Sequence, residues 1–273
     1  MVLSSIQDRS ATAAAPATSA RSPTTPVILS ATGLTKDFRG LIAVNNVDLG
    51  ICEGSIHALI GPNGAGKTTV FNLLTKFIMP TRGTITYRGE NITGLAPAAV
   101  AQRGLVRSFQ ISAVFSHLSA LQNIRIALQR PSGLATQFWL GQASLRKLDE
   151  EAMQLLESVG LAGLAHTVAG ELAYGRKRAL ELATTLALKP DIMLLDEPMA
   201  GMGHEDVGQI ARLIRHVAKG RTIVMVEHNL SVVRDLCDLV TVLERGEVIA
   251  EGNYAEVSID PRVREAYIGT DDA

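Results

Sequence analysis

The chain has 273 residues, of which 47% are hydrophobic and 19% charged. The length suits one or two domains, the apolar content is ample for a buried core, and the profile excludes a wholly disordered, collagen-like or disulfide-scaffold chain. The 26 Lys and Arg against 27 Asp and Glu leave a net charge of -1, so no global field favours nucleic acid or an anionic membrane surface.

Residues 10–26 are Ser, Ala, Thr or Pro, with Arg21 the sole exception. Such a segment lacks the apolar side chains that offset ordering entropy, so residues 1–28 are expected to be a disordered extension. Asp8 and Arg9 interrupt the one apolar run that could serve as a secretory signal, and a transit peptide fits only weakly. From 27 to 60 the chain reads as short strands, with turns at Arg39-Gly40 and Glu53-Gly54. Residues 55–60 form a buried strand, followed by a glycine-rich loop and a helix predicted over 67–79, stopped by Pro80. A strand over 83–87 turns at Arg88-Gly89.

Residues 98–169 are helical in pattern and poor in strand signals, which suggests an inserted helical subdomain. Ala152, Leu155, Leu156 and Val159 share one face there, and Gly160 suits the position just past a helix end. Residues 131–137 read as a loop. A helix follows Gly175 to about 188, then a buried strand over 191–195. A helix over 204–219 carries the stripe Val207, Ile210, Ala211, Ile214 and Val217. A buried strand over 222–226 precedes a hairpin of 239–243 with 247–251 around Arg245-Gly246. Strands alternating with helices imply an α/β fold with a mostly parallel sheet. No run of about 18 apolar residues is long enough for a spanning helix. Cys52 and Cys237 could form a single bridge, but two reduced, buried thiols are the simpler expectation, and no zinc pattern is present.

Gly61-Pro62-Asn63-Gly64-Ala65-Gly66-Lys67-Thr68 matches G-x-x-x-x-G-K-[ST], with a strand before it and a helix after it. Glycines let the backbone wrap a phosphate, and the helix N-terminus adds a positive dipole end. Lys67 supplies a charge for the β- and γ-phosphates, the Thr68 hydroxyl can hold Mg²⁺, and Thr69 is counted with the nucleotide-binding residues. Kinases, GTPases and ATPases share this loop. The apolar strand ending in Asp196-Glu197 supplies two carboxylates. Asp196 suits Mg²⁺, directly or through water, and Glu197 suits the activation of an attacking water. Alone, an Asp-Glu pair after a strand is more often a solvated turn.

Ser108-Phe109-Gln110 precedes the helical region, Leu172-Ala173-Tyr174-Gly175-Arg176 ends it, and His228 follows the 222–226 strand. Each is weak alone. In this order and spacing, with both motifs above, they resemble the nucleotide-binding subunit of ABC transporters over residues 29–269. More narrowly, the chain resembles the ATPase subunits of branched-chain amino acid importers. Residues 43–47, 107–110, 172–181, 227–230 and 260–267 carry that likeness.

The resemblance implies a P-loop NTPase (RecA-like) core, an antiparallel β subdomain, a helical subdomain inserted at about 110–175, and a tail over 270–273. It implies that ATP and Mg²⁺ bind, with Gln110 sensing the γ-phosphate and Mg²⁺. It implies that His228 contacts the γ-phosphate beside Glu197 and that Phe38 lies against adenine. Gly175 would face the nucleotide of a second ATPase subunit, identical or paralogous. The implied partners are integral membrane permeases and, indirectly, a substrate-binding protein, but no nucleic acid. The implied place is the cytoplasmic face of the inner membrane, as a peripheral subunit. The chain departs from the family's usual Leu-Ser-Gly-Gly-Gln at Ala173, Tyr174 and Arg176. It also departs at Pro198-Met199-Ala200-Gly201-Met202, where Ser-Ala-Leu-Asp is commoner. The alternatives are a free ABC-type ATPase acting on nucleic acid or ribosomes, or a subunit for amides, urea or export. A GTPase or kinase lacks support, because no Asn-Lys-x-Asp stretch for guanine is present.

Overall fold

The computed structural model describes residues 26–108, 114–133 and 148–268. Gln110 and Phe109, residues 1–25, the end of the 131–137 loop and the 270–273 tail lie outside the described residues. The first strand already begins at Val27, so Val27 and Ile28 belong to the fold and not to the extension.

Two sheets make up the β structure. The strands β1 (Val27–Phe38), β2 (Leu41–Cys52), β4 (Arg82–Tyr87) and β5 (Glu90–Asn91) form an antiparallel sheet in the order β2-β1-β4-β5. The second sheet has the order β10-β9-β3-β8-β7-β6. It comprises β3 (Ile56–Ile60), β6 (Leu105–Arg107), β7 (Ile192–Asp196), β8 (Thr222–Val226), β9 (Leu239–Glu244) and β10 (Glu247–Gly252). All its pairs are parallel except the β9–β10 hairpin. Strand β6 lies in the region read as helical in pattern and poor in strand signals. It is only three residues long, too short to show a period, and it forms by pairing with β7.

The central strands are buried on both faces, and alternate residues serve two cores. Ala58, Ile60, Met193, Leu195, Ile223 and Met225 face one cluster; Leu59, Ile192, Leu194, Val224 and Val226 face the other. The second cluster also takes in Val70, Phe71, Leu73 and Leu74 of α1 (Lys67–Leu74) and the inner face of the antiparallel sheet. That helix stops five residues before the predicted end at 79. The Thr75 hydroxyl donates to the Phe71 carbonyl at 2.6 Å, and Lys76 takes a left-handed conformation, φ 64°, which ends the coil.

The helices α2 (Pro97–Gln102), α3 (Ala120–Gln129), α4 (Asp149–Ser158), α5 (Tyr174–Leu186) and α6 (His204–Val217) follow. Ile210, Ile214 and Val217 of α6 enter the first cluster, as their spacing requires. Gly160 closes α4 with φ 71°: its N–H donates to the Glu157 carbonyl, and the Leu161 N–H to that of Leu156. Arg125 of α3 holds Asp149 of α4 through both oxygens, which ties two helices of the insertion together. Helices α7 (Leu230–Leu236), α8 (Tyr254–Ile259) and α9 (Pro261–Ile268) complete the chain. Cys52 and Cys237 are free thiols, each half-buried. Among the described residues, no helix is long and apolar enough to cross a membrane.

Candidate nucleotide site

Three parallel neighbours, β3, β8 and β7, end side by side, and the loops that leave their carboxyl ends carry the candidate residues. In open α/β sheets that edge is where ligands bind. After β3 the chain turns through Gly61 (φ 148°), Gly64 (φ 78°) and Gly66 (φ 96°) into α1. A side chain at Gly61 would place its Cβ 2.1 Å from the Leu243 carbonyl oxygen, and one at Gly66 would lie 2.5 Å from that of Ala43. The loop therefore runs pressed against backbone from both sheets. The Gly246 N–H donates to the Ala65 carbonyl at 3.0 Å, and the Asn45 N–H to the Gly246 carbonyl at 2.8 Å. Asn63, Gly64 and Thr68 remain exposed, while Pro62 and Thr69 are partly covered.

The Lys67 ammonium donates to the carbonyls of Gly61 at 2.7 Å and Pro62 at 2.9 Å, which folds the side chain back along the loop. Burial lowers its pKa, against the opposing pull of the Glu197 and Asp196 carboxylates. The Lys67 ammonium and these two carboxylates therefore lie close enough to interact electrostatically.

Asp196 closes β7 with its side chain 1% exposed. Its Oδ2 accepts from the Arg107 guanidinium at 2.5 Å, while its buried Oδ1 has no hydrogen-bond partner among the described residues. Arg107, on β6, also donates to Asn72 Oδ1 at 2.5 Å and stacks over the rings of Phe71 and Phe77. Its role in gripping Asp196 was not read from the sequence, where it figured only as part of the family likeness.

Glu197 leaves the strand. Its φ of 48° puts it in the left-handed region, sparsely populated for a residue with a side chain, and its N–H donates to the Val226 carbonyl at 3.0 Å. Glu197 Oε1 lies 2.8 Å from His228 Nε2; with the carboxylate ionised, the ring nitrogen is the donor. The sequence-predicted pair is therefore in contact. Beneath it lies Glu227, buried, whose carboxylate accepts the N–H groups of Met199 at 3.0 Å, His228 at 3.1 Å and Asn229 at 3.3 Å. Burial raises the Glu227 pKa, and these three N–H groups work against the rise. In the sequence Glu227 figured only as part of the family likeness over 227–230, since a Glu before a His has no spacing signature for such a brace.

Two further candidates lie on other elements. Phe38 ends β1 with 45% exposure, and the Lys36 ammonium lies 5.0 Å from its ring centroid. Gly175 sits in the first turn of α5, and the atoms nearest a side chain there belong to Asp206 of α6.

Residues 44–200 match the family model described as "ABC transporter", and residues 247–273 match one described as "Branched-chain amino acid ATP-binding cassette transporter". The high-affinity branched-chain amino acid transport ATP-binding protein BraF of Pseudomonas aeruginosa is 39% identical over 251 residues, covering 89% of this chain and 98% of that protein. LivG of Escherichia coli, of the same description, is 38% identical over 250 residues, with the same shares covered. The lipopolysaccharide export ATP-binding protein LptB of Acidithiobacillus ferridurans is 33% identical over 243 residues, covering 89% of this chain and 97% of that protein. A solved ATP-binding cassette of an ABC transporter, in its ADP conformation, superposes with a TM-score of 0.79 at 28% identity. It covers 90% of this chain and all of that one. With the phosphate loop, the Asp196-Glu197 pair and the Glu197–His228 contact joined in one site of this fold, the chain belongs to the ATP-binding cassette family of ABC transporter ATPases.

Proposed function

We propose that this ATPase powers a branched-chain amino acid importer, as a peripheral subunit on the cytoplasmic face of the membrane. The observation that carries the chemistry is the 2.8 Å contact between Glu197 and His228 beside the phosphate loop. The transport reading is supported by the match over 247–273 and by identity to BraF and LivG above that to LptB.

In this reading the backbone N–H groups of residues 61–69, the α1 dipole and Lys67 hold the ATP phosphates. Phe38 lies against adenine. Glu197 takes the proton of the attacking water, and His228 orients Glu197 and contacts the γ-phosphate. The donor set suits Mg²⁺: the unpartnered Asp196 Oδ1 and the exposed Thr68 hydroxyl are hard oxygen ligands, with Gln110 as a third. Mg²⁺ there would neutralise charge on the phosphate oxygens. Gly175, at the start of a 13-residue helix, suits the γ-phosphate of ATP held by a second subunit, identical or paralogous, so two nucleotides would lie between two chains. Permeases, and through them a substrate-binding protein, would receive the closing and opening of that pair.

The test is to isolate the chain from gently solubilised membranes, identify what accompanies it, and measure leucine uptake after reconstitution. A multi-span permease with ATP-driven leucine uptake, lost in Glu197→Gln, is the expected result. ATPase activity with no membrane partner and no uptake would overturn the transport reading.

A further inference from the structure

Tyr174 stands where the chain departs from the family's usual Leu-Ser-Gly-Gly-Gln, and it joins two parts of the molecule that the chemistry above leaves separate. Its ring is exposed, yet its hydroxyl is committed: it donates to the Ala200 carbonyl at 2.8 Å. Arg178, one turn further along α5, donates to the Tyr174 hydroxyl oxygen at 3.0 Å and lies 5.4 Å from the ring centroid. Arg178 is itself fixed by the buried Glu181 at 2.8 Å. The phenol is thus held from behind and reaches forward to the loop that follows Glu197.

That loop is attached to the catalytic pair twice. The Ala200 N–H donates to the Glu197 carbonyl at 3.0 Å. The neighbouring Met199 N–H donates to Glu227, which also accepts the His228 N–H. A displacement of residues 173–175 therefore pulls on the Ala200 carbonyl. From there it reaches Glu197 through one bond and His228 through the Glu227 carboxylate. Glu197, held at φ 48°, is thereby linked to the Tyr174 hydroxyl through two consecutive hydrogen bonds.

We propose that Tyr174 is a positioning residue that couples the Gly175 segment to the Glu197–His228 pair of its own chain. Arrival of a second subunit's nucleotide at Gly175 would then set the hydrolytic geometry in the chain that supplies Gly175. The proposal rests on the two-nucleotide arrangement proposed above. A connected set of bonds is a route only if its members are energetically coupled, which is what the experiment must show.

The test uses the transporter ATPase complex as purified from membranes. Tyr174→Phe removes the hydroxyl and keeps the ring against Arg178. The expected result is a fall in kcat of about tenfold, the scale of one lost hydrogen bond, with KM, melting temperature and affinity for a fluorescent ATP analogue little changed. Its effect on kcat should be less than additive with that of Glu227→Gln. In a Glu197→Gln background, Tyr174→Phe should leave ATP-driven association of the two ATPase subunits intact. An unchanged kcat, full additivity with Glu227→Gln, or a loss of kcat that merely follows lost stability would overturn the proposal. Failure of Glu197→Gln itself to associate on ATP would instead overturn the dimer reading, and this proposal with it.

Discussion

Glu197 and Glu227 are two carboxylates thirty positions apart in chain and neighbours in space, and burial gives them opposite tasks. Glu197 is partly open, touches His228 and sits at the end of the nucleotide loop system. Its replacement by Gln should lower kcat by about 10²–10⁴-fold, the usual worth of a general base, while equilibrium ATP binding stays within a few-fold of the native chain. Lys67→Ala should show the converse, a loss of nucleotide affinity measured by titration with a fluorescent analogue. Glu227 is sealed under the pair and braces three N–H groups. Burial raises its pKa from the ordinary 4.5, so the folded chain holds this proton more tightly than the unfolded chain does. Stability from this group is therefore greatest below pH 4.5 and declines as pH rises through the raised value. Melting temperatures of native chain and Glu227→Gln across that interval should differ in slope, with the variant lacking the decline.

The nucleotide loop shows what an element needs beyond its motif. Gly61→Ala should unfold or severely destabilise the β3 end, because its Cβ would overlap the Leu243 carbonyl of β9 at 2.1 Å and its φ of 148° disfavours any side chain. A melting scan of the variant against native chain checks this. The strand–loop–helix order around this glycine was legible in the sequence because the three lie consecutively; the close approach of Leu243 was not, since it belongs to the distant strand β9. Asp196 and Glu197 were legible for the same reason, as the terminus of an apolar strand. Arg107 was not legible as their partner: it meets Asp196 across 89 positions, and only the pairing of β6 with β7 brings them together. The early end of α1 escaped because Lys76, a good helix former, takes a left-handed φ of 64° that no local pattern announces. The α6 stripe, with Ile214 wholly buried, was read correctly from its period alone; Ile214→Ala should cost about 2–5 kcal/mol in denaturant unfolding.

At the scale of the whole molecule, the two sheets share no ladder among the described residues, yet they meet beneath the nucleotide loop. Gly246, in the β9–β10 turn, donates its N–H to Ala65 and accepts that of Asn45 from β2. Its own Cβ position is closed by the Ala43 carbonyl at 2.8 Å. Three segments far apart in sequence are thus pinned through one turn. A ligand that favours the native state of this loop stabilises everything whose opening requires the loop to open. Deuterium uptake should therefore slow together at the Asn45, Ala65 and Gly246 amides when nucleotide is added, although Asn45 and Gly246 lie outside the phosphate-binding motif. The turn would act as a rivet between the two sheets, and the time course of isotope exchange would report how firmly it is set.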